Sequence, residues 1–390
     1  MKTEPEKSAI ADGGEAVPVH LSSVVARLKS VDPVAVSHDL APEIVAKVRG
    51  GRTARPVMNQ VWRMVVPLAA AATVVLLAGG VWLARRPVDP GRQAIAWLCR
   101  IQEPDGSWNA VRWGGNNNFE IALTGLSLMT LLDGTSEARP AIEKAVTYLI
   151  QHQQADGRFG ELFSGLPYNQ GIATLALARA YEIRKDESLR MALDKAVSAI
   201  CASQYADGGW GYCNEAHPAS NLSITLWQIE ALRLVSKQGW PQVNSRMERG
   251  LRWMAGVAAD DGSFGYQKSG DTPGGASQTL TAMGAMSLLD PAHIGLVSPG
   301  RRQAIKAQMQ RLVSAPGTDM DYYRRYFLTA ALKQMEEASA TRGLVAMRHD
   351  LVDQQVARGG EAGSWNADDR WGATGGRLYA TTMAALSLRN

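Results

Sequence analysis

Downstream of residue 87, two kinds of segment alternate along the chain. One is apolar on every side and rich in small residues, as in Ile121-Ala-Leu-Thr-Gly-Leu-Ser-Leu-Met-Thr-Leu-Leu132, Ile172-Ala-Thr-Leu-Ala-Leu-Ala178 and Leu280-Thr-Ala-Met-Gly-Ala-Met-Ser-Leu-Leu289. A helix with no polar face must be buried all round. The other keeps an apolar stripe opposite a charged one, as in Arg190-Met-Ala-Leu-Asp-Lys-Ala-Val197 and Arg301–Val313. That pattern reads as a helix with one face in solvent. Buried helices are expected to start near residues 119, 169, 220, 276 and 321, each followed by an amphipathic partner. A lone amphipathic helix at 91–102 precedes them, and a lone buried one, Leu378–Leu388, follows. These two are complementary in type, so pairing them completes a sixth hairpin. An open stack would need polar terminal caps, which neither helix supplies. The pattern therefore predicts an all-α ring of six inner and six outer helices over residues 87–390, shut by its own terminal helices.

The turns carry a recurring phrase: Gln102-Glu-Pro-Asp-Gly-Ser-Trp108, Gln153-Gln-Ala-Asp-Gly-Arg-Phe159, Gln204-Tyr-Ala-Asp-Gly-Gly-Trp210, Ala258-Ala-Asp-Asp-Gly-Ser-Phe264 and a degenerate Gly359-Gly-Glu-Ala-Gly-Ser-Trp365. The central glycines Gly106, Gly157, Gly208, Gly262 and Gly363 stand 51, 51, 54 and 101 residues apart. The last interval spans two periods, with Ala315-Pro316-Gly317 where a signature is missing. A fixed period of this size marks a repeat architecture. It overrides the two or three domains that 390 residues suggest at roughly 150 per domain. Glycine at positive φ is expected to stop each outer helix.

Upstream, Met64–Ala84 is a run of 21 uncharged residues between Arg63 and Arg85-Arg86. It makes roughly 32 Å of helix against a hydrocarbon core of ~30 Å, with Trp62 and Trp82 near its ends. It reads as a single-pass membrane anchor. Four arginines before it (Arg49, Arg52, Arg55, Arg63) against three after it (Arg85, Arg86, Arg92) favour a cytoplasmic N-terminus. The ring then belongs on the outer side of an inner membrane. The expected layout is a polar tail with short helices (1–60), an anchor (61–86) and the ring (87–390).

A 46% hydrophobic composition supplies a large core, and 41 basic against 37 acidic residues gives no nucleic-acid footprint. Three cysteines without a CxxC organise neither a disulfide framework nor a zinc finger. Cys99 and Cys201 each fall three residues before a repeat glutamine and are expected to be buried.

The phrase Gln-x-x-Asp-Gly-x-Trp/Phe resembles the QW repeat of squalene and terpenoid cyclases, which is similar to the repeats of protein prenyltransferase β subunits. The resemblance covers residues 90–390 and implies an α6/α6 toroid. It further implies that the glutamine and the aromatic ring staple neighbouring outer helices. Gln102/Trp108, Gln153/Phe159 and Gln204/Trp210 match residue by residue; the fourth turn keeps Gly262 and Phe264 but has Ala258 for glutamine, and the fifth keeps Gly363 and Trp365. These are structural motifs, and a scaffold does not establish chemistry.

The chemistry-bearing motifs of that superfamily are sparse. The Asp-x-Asp-Asp acid of class II cyclases and the DDxxD magnesium motif are absent. Asp319-Met-Asp321 precedes an inner helix and reads either as a paired-carboxylate acid or as a helix cap; Asp368-Asp369 is expected to be solvated. Asp207, Cys213 and His217 have the types of the prenyltransferase zinc set, but in another order and spacing, so no metal or other cofactor is expected. Loops entering the inner helices bring Asn116-Asn-Asn118, Glu120, Tyr168, Asn169, Asn221, Gln278, Tyr322, Tyr323, Arg377 and Tyr379 to one mouth. They suit a ligand with a polar head and an apolar body, or they cap six helices. Two similar phrases, Ser107-Trp-Asn-Ala110…Trp113-Gly and Ser364-Trp-Asn-Ala367…Trp371-Gly, should lie side by side at the closing hairpin. Three functions fit: a membrane-anchored, non-catalytic toroid for a lipid-like, peptide or glycan ligand; an isoprenoid cyclase using Asp319 or Asp321; and a sensor whose tail, with Asp39–Arg49 before the anchor, resembles that of anti-sigma factors.

Overall fold

The computed structural model describes residues 89–390 apart from 135, 161–165, 213–218, 273–276 and 315–319. The expected tail and the anchor at 64–84 lie outside the described residues. Among those described, no helix is long and apolar enough to cross a membrane.

Pro87–Asn390 forms one compact unit, with twelve α-helices among its described residues. The outer ones are α1 (Pro90–Ile101), α3 (Arg139–Gln151), α5 (Glu187–Ala202), α7 (Asn244–Gly256), α9 (Pro299–Ser314) and α11 (Ala338–Gln354). The inner ones are α2 (Glu120–Leu131), α4 (Leu166–Arg184), α6 (Leu222–Lys237), α8 (Ser277–Leu288), α10 (Tyr322–Lys333) and α12 (Gly372–Arg389). Each inner helix packs on the next, and α12 returns to pack on α2 and on α1. The ring is closed by its terminal helices, as the two unpaired patterns predict.

Periodicity explains which helix goes where. α2 is buried at every position from Ile121 to Leu131. α5 buries Leu189, Ala192, Leu193, Ala196, Val197 and Ile200, a stripe at helical spacing, and turns its charges to solvent. Inner helices start where a side chain can satisfy their first amide groups. Asn221 accepts from the amide of Ile224 at 3.0 Å, and Asp321 from that of Arg324 at 2.8 Å.

The repeat phrase joins neighbouring outer helices. The Gln102 amide donates to the Ala141 carbonyl of α3 (2.9 Å), Gln153 to Ala192 of α5 (2.9 Å) and Gln204 to Arg246 of α7 (2.8 Å). Each also donates to the carbonyl of its own turn glycine. The aromatic ties the turn to its own hairpin: the Trp108 indole donates to Leu98 and that of Trp210 to Ile200, while their backbone amides donate to Thr124 and Thr225 of the inner helices. Phe159 replaces that threonine with Gln170, and Phe264 finds Thr281.

The glycines differ from expectation in detail. α1 ends at Ile101, with Gln102 already extended, so Gly106 does not stop the helix; it sits in the following turn at φ 99°. A Cβ on Gly106, Gly157, Gly208, Gly262 or Gly363 would collide with the backbone of the next outer helix, at Lys144, Lys195, Arg249, Ala304 and Gln93 respectively. Close approach fixes glycine there as firmly as its φ does.

The remaining seams use other atoms. The fourth turn has lost its glutamine, and Gln308 of α9 reaches back to donate to the Asp261 carbonyl (2.9 Å). Between α9 and α11, where the signature is missing, Lys306 (3.3 Å) and Gln310 (2.5 Å) hold Glu337. At the closing seam Gln355, four residues earlier than the phrase predicts, donates to Pro90 of α1 and to Gly363 (both 2.9 Å). The Trp365 indole donates to Leu351. Cys99 and Cys201 are half-buried rather than fully buried, and that burial pushes both thiols above their ordinary range.

Candidate functional site

At the N-terminal ends of the inner helices the ring opens into a cavity of about 610 Å³. Its wall is layered because successive turns of each helix face it in register. The outer layer is aromatic, from Phe119, Tyr168, Tyr212, Tyr266, Tyr323, Trp371 and Tyr379; one turn deeper it is aliphatic, from Leu123, Leu126, Ile172, Leu280, Met283 and Met383. Asn116, Ser223, Thr279 and Thr374 complete it, and among the described residues no charged side chain lines the cavity. Towards α6 and α10 the interior is filled by Trp227, stacked on Tyr326 (6.1 Å) and edge-on to Phe327 (5.7 Å).

The rings form two linked walls. Phe119, Tyr168 and Tyr212 follow one another at centroid spacings of 6.3 Å, and the Tyr266 hydroxyl donates to that of Tyr212. Opposite, Tyr323 packs against Trp371 (5.9 Å) and Tyr379 (6.4 Å) and accepts a hydrogen bond from the Trp227 indole (2.5 Å). Tyr168 and Ser223 share a hydrogen bond of 2.6 Å. Burial, reinforced by neighbouring phenols, holds Tyr168, Tyr266 and Tyr323 above their ordinary range. These walls therefore stay neutral at physiological pH.

Of the residues expected at the mouth, Asn116, Tyr168, Tyr323 and Tyr379 line the cavity; the others serve the scaffold. Glu120 accepts from the Tyr148 hydroxyl (3.1 Å). Asn169 clamps the start of α2, accepting from the Ala122 amide and donating to the Asn118 carbonyl. Asn221 caps α6, Gln278 accepts from the Arg324 guanidinium, and the Tyr322 amide donates to Asp369 (3.0 Å). Arg377 turns away to Ser364, Asn366 and Glu361. The two tryptophan loops do meet: the Asn116 amide donates to the Thr374 carbonyl at 2.8 Å. Gly376 at φ 62° makes this possible, since a Cβ there would strike the Trp113 carbonyl.

The acid assignment changes most. Asp319 lies outside the described residues, as do Cys213 and His217. Asp321 is a buried cap whose other oxygen accepts from the Thr279 hydroxyl (2.8 Å). Asp369, expected in solvent, is instead partly buried and accepts from the Tyr379 hydroxyl (2.7 Å) and from the amides of Tyr322 and Trp371 (3.0 Å each). Burial, with the charge of Asp321 adding to it, lifts its carboxyl above the usual range despite those hydrogen bonds. Tyr379 is lifted too, by burial and then by Asp369. Tyr212 and Tyr266 line the wall without being expected there. Each stands two residues after a repeat aromatic, in Trp210-Gly-Tyr212 and Phe264-Gly-Tyr266, and that shared offset was the available signal.

The family description of the squalene-hopene cyclase C-terminal domain matches residues 67–176, and that of the prenyltransferase alpha-alpha toroid domain matches residues 211–325. The chain belongs to the squalene cyclase and prenyltransferase repeat superfamily. Within it, drimenyl diphosphate synthase of Streptomyces showdoensis is 29% identical over 200 residues, 50% of this chain and 36% of that protein. The chain spans between 20 and 36% of the length of the curated relatives it matches. Among solved structures, an inactive variant of the α-1,6-mannanase GH76A of Salegentibacter sp. HEL1_6, bound to α-1,6-mannotriose, has a TM-score of 0.57 at 12% identity (77% of this chain, 98% of that one). A variant of the type II terpene cyclase MstE from Scytonema, bound to geranylgeranyl dihydroxybenzoate, has a TM-score of 0.51 at 16% identity (76% and 94%). Those two likenesses concern the fold alone. The first match begins at residue 67, inside the apolar run 64–84. Among the described residues no cluster of three metal-ligating side chains occurs.

Proposed function

We propose that this squalene cyclase-like toroid binds a lipid-like ligand in the mouth cavity, and that residues 64–84 tether it to an inner membrane with the ring outside the cytoplasm. The observation that carries the reading is the cavity wall: aromatic outside, aliphatic inside and uncharged across its described residues. A glycan or an extended peptide needs a dense set of donors and acceptors, which this wall lacks. The volume lies within the range of small-ligand pockets, ~300–1,000 Å³. The uncharged run flanked by Arg63 and Arg85-Arg86 supports the tether.

The test is displacement of a neutral fluorescent dye from the purified full chain by squalene and by shorter isoprenoid alcohols. Filling the cavity with Leu126→Trp or Met383→Trp should abolish dye binding. Binding that survives both variants removes the cavity from the account. A reporter active only in the cytoplasm, fused after residue 390 and found active, would reverse the proposed topology.

A second reading, isoprenoid cyclisation, draws on the Asp369–Tyr379 pair. A carboxyl held above its usual range and joined to a phenol on an apolar wall is placed to keep and deliver a proton. In this reading Asp369 takes the place of Asp321, which is committed to capping α10, while Asp319 lies outside the described residues. Incubation with squalene or prenyl diphosphates, wild type against Asp369→Asn, tests it: a product that persists unchanged in the variant dismisses this acid.

A further inference from the structure

At the opposite end of the inner helices from the mouth, the C-terminal turns of α10 and α12 meet α11 around a second hollow of about 220 Å³. Leu344, Val345 and Leu351 of α11, with Leu388 of α12, give it an apolar side. Its polar side holds two guanidiniums, Arg348 of α11 and Arg389 of α12, and no acidic side chain among the described residues. The other donors of the hollow are engaged by the scaffold. The Asn390 amide donates to the Tyr326 carbonyl (3.4 Å) and the Thr329 hydroxyl (3.2 Å), and the Ser387 hydroxyl to the Met383 carbonyl (2.7 Å). Each arginine is anchored from one side: Arg348 donates to the Leu388 carbonyl (3.1 Å), and Arg389 pairs with Asp133 (2.8 Å). A guanidinium carries five N–H donors in a planar fork, so both keep donors for a further acceptor. Around Arg389, three guanidiniums (its own, Arg348 and Arg179 of α4) are set against the carboxylate of Asp133. The Arg179 Nη1 is sealed from solvent with no acceptor among the described residues. Burial, and then the charge of Arg179, lowers Arg389 below the usual guanidinium range. The carbonyls that end α12 account for arginines at this corner. They do not fill the hollow.

We propose that this hollow is a second binding site, for a short aliphatic carboxylate: its oxygens on the forks of Arg348 and Arg389, its chain against Leu344, Val345 and Leu388. At ~30 Å³ for a water-sized atom the space takes about seven non-hydrogen atoms, the size of a five-carbon acid. A planar carboxylate matches the guanidinium fork, and bonds between charged partners are roughly twice as strong as neutral ones. A bare inorganic anion would leave the apolar side uncovered, and an amine would meet two cations. The site shares no lining residue with the mouth cavity and stands whether or not that cavity binds a lipid.

Calorimetric titration of the full chain with pentanoate, its neutral isostere pentanamide and acetate, at one ionic strength, provides the test. Pentanoate should bind about tenfold or more tightly than pentanamide, because only the carboxylate makes charge-assisted pairs. It should also bind several-fold more tightly than acetate, which lacks the carbons that cover the apolar side. Equal affinity for pentanoate and pentanamide removes the guanidiniums from the site. Equal affinity for pentanoate and acetate would mean pairing with surface arginines only. Either result overturns the proposal, as does the absence of saturable pentanoate binding. Arg348→Lys keeps the charge and loses the fork, so it should weaken pentanoate about tenfold while leaving pentanamide unchanged. Arg348 is exposed, and an unaltered unfolding midpoint confirms that the variant is folded. Wild-type pentanoate affinity in that variant overturns the assignment of Arg348. Val345→Trp, at another exposed position, should close the hollow, and binding that survives it places the ligand elsewhere. Two glycines added after Asn390 should leave the affinity unchanged. A gain of about tenfold would mean that a carboxylate at residue 390 had been filling the hollow, and would overturn the site for an outside ligand.

Discussion

The seams among α1, α3, α5 and α7 and those among α7, α9, α11 and α1 hold the same ring with different atoms. In the first group a glutamine at the end of one helix reaches forward to the next. In the second, Gln308 reaches backward, Glu337 collects two donors from α9, and Gln355 works from four residues upstream of the expected place. Packing differs in parallel: α5 buries six side chains, whereas α9 buries only Ile305 and Met309. The constraint is therefore a bridged gap between outer helices at a distance set by the turn glycine. The residue that bridges it is free to move once the fold can supply another.

Three measurements break or sharpen this contrast. The largest effect belongs to the aromatic that both groups share. Trp210→Ala, at a nearly fully buried position, should cost about 3–5 kcal/mol in denaturant unfolding; a loss below about 1 kcal/mol would show that the wedge is dispensable. Next come the bridges themselves. Gln153→Ala strips a part-buried carbonyl of its partner and should cost about 1–3 kcal/mol, whereas Gln308→Ala, at an exposed bridge, should cost about 0.5–1 kcal/mol. Ala258→Gln introduced into Gln308→Ala should recover the difference by rebuilding the forward bridge. No recovery would mean that the fourth seam has relaxed beyond the repeat geometry. The smallest effect is electrostatic. Asp369 has its folded value raised above the ~3.9 of a free aspartate. Its contribution to stability is therefore complete below that pH and is lost as pH rises through the folded value. Asp369→Asn should flatten the part of the stability profile that falls as pH rises above the free aspartate value, and identical profiles would mean that the carboxyl is not raised.

How much the chain discloses before folding follows the same division. The ring was legible because apolar-all-round and one-sided helices leave different periodicities, and because close approach of backbones demands glycine at a fixed interval. Seams four to six were not, since Gln308 and Glu337 act across elements that no local pattern connects. At the mouth, Tyr168, Tyr323 and Tyr379 were found as polar residues at helix starts, but so were Asn169, Asn221 and Arg377, which the scaffold consumes. A helix-start position looks the same whether its side chain caps the helix or faces a cavity. Asp369 departs from expectation for a related reason: its burial comes from α10 and α12 converging on a loop that reads as solvated.

Closure by α12 has a consequence in time. This helix, with the loop before it, brings Trp371, Thr374, Tyr379 and Met383 to the wall, and the bridge from Gln355 to Pro90 joins residues 265 apart in sequence. At a synthesis rate of ~5–20 residues per second, α1 and the open flank of α2 wait roughly 15–60 s for their partners. During that interval the nascent ring is a horseshoe whose free edges are the apolar sides of α2 and α10. A chaperone that holds such edges would decide the yield of this protein more than the stability of the finished ring.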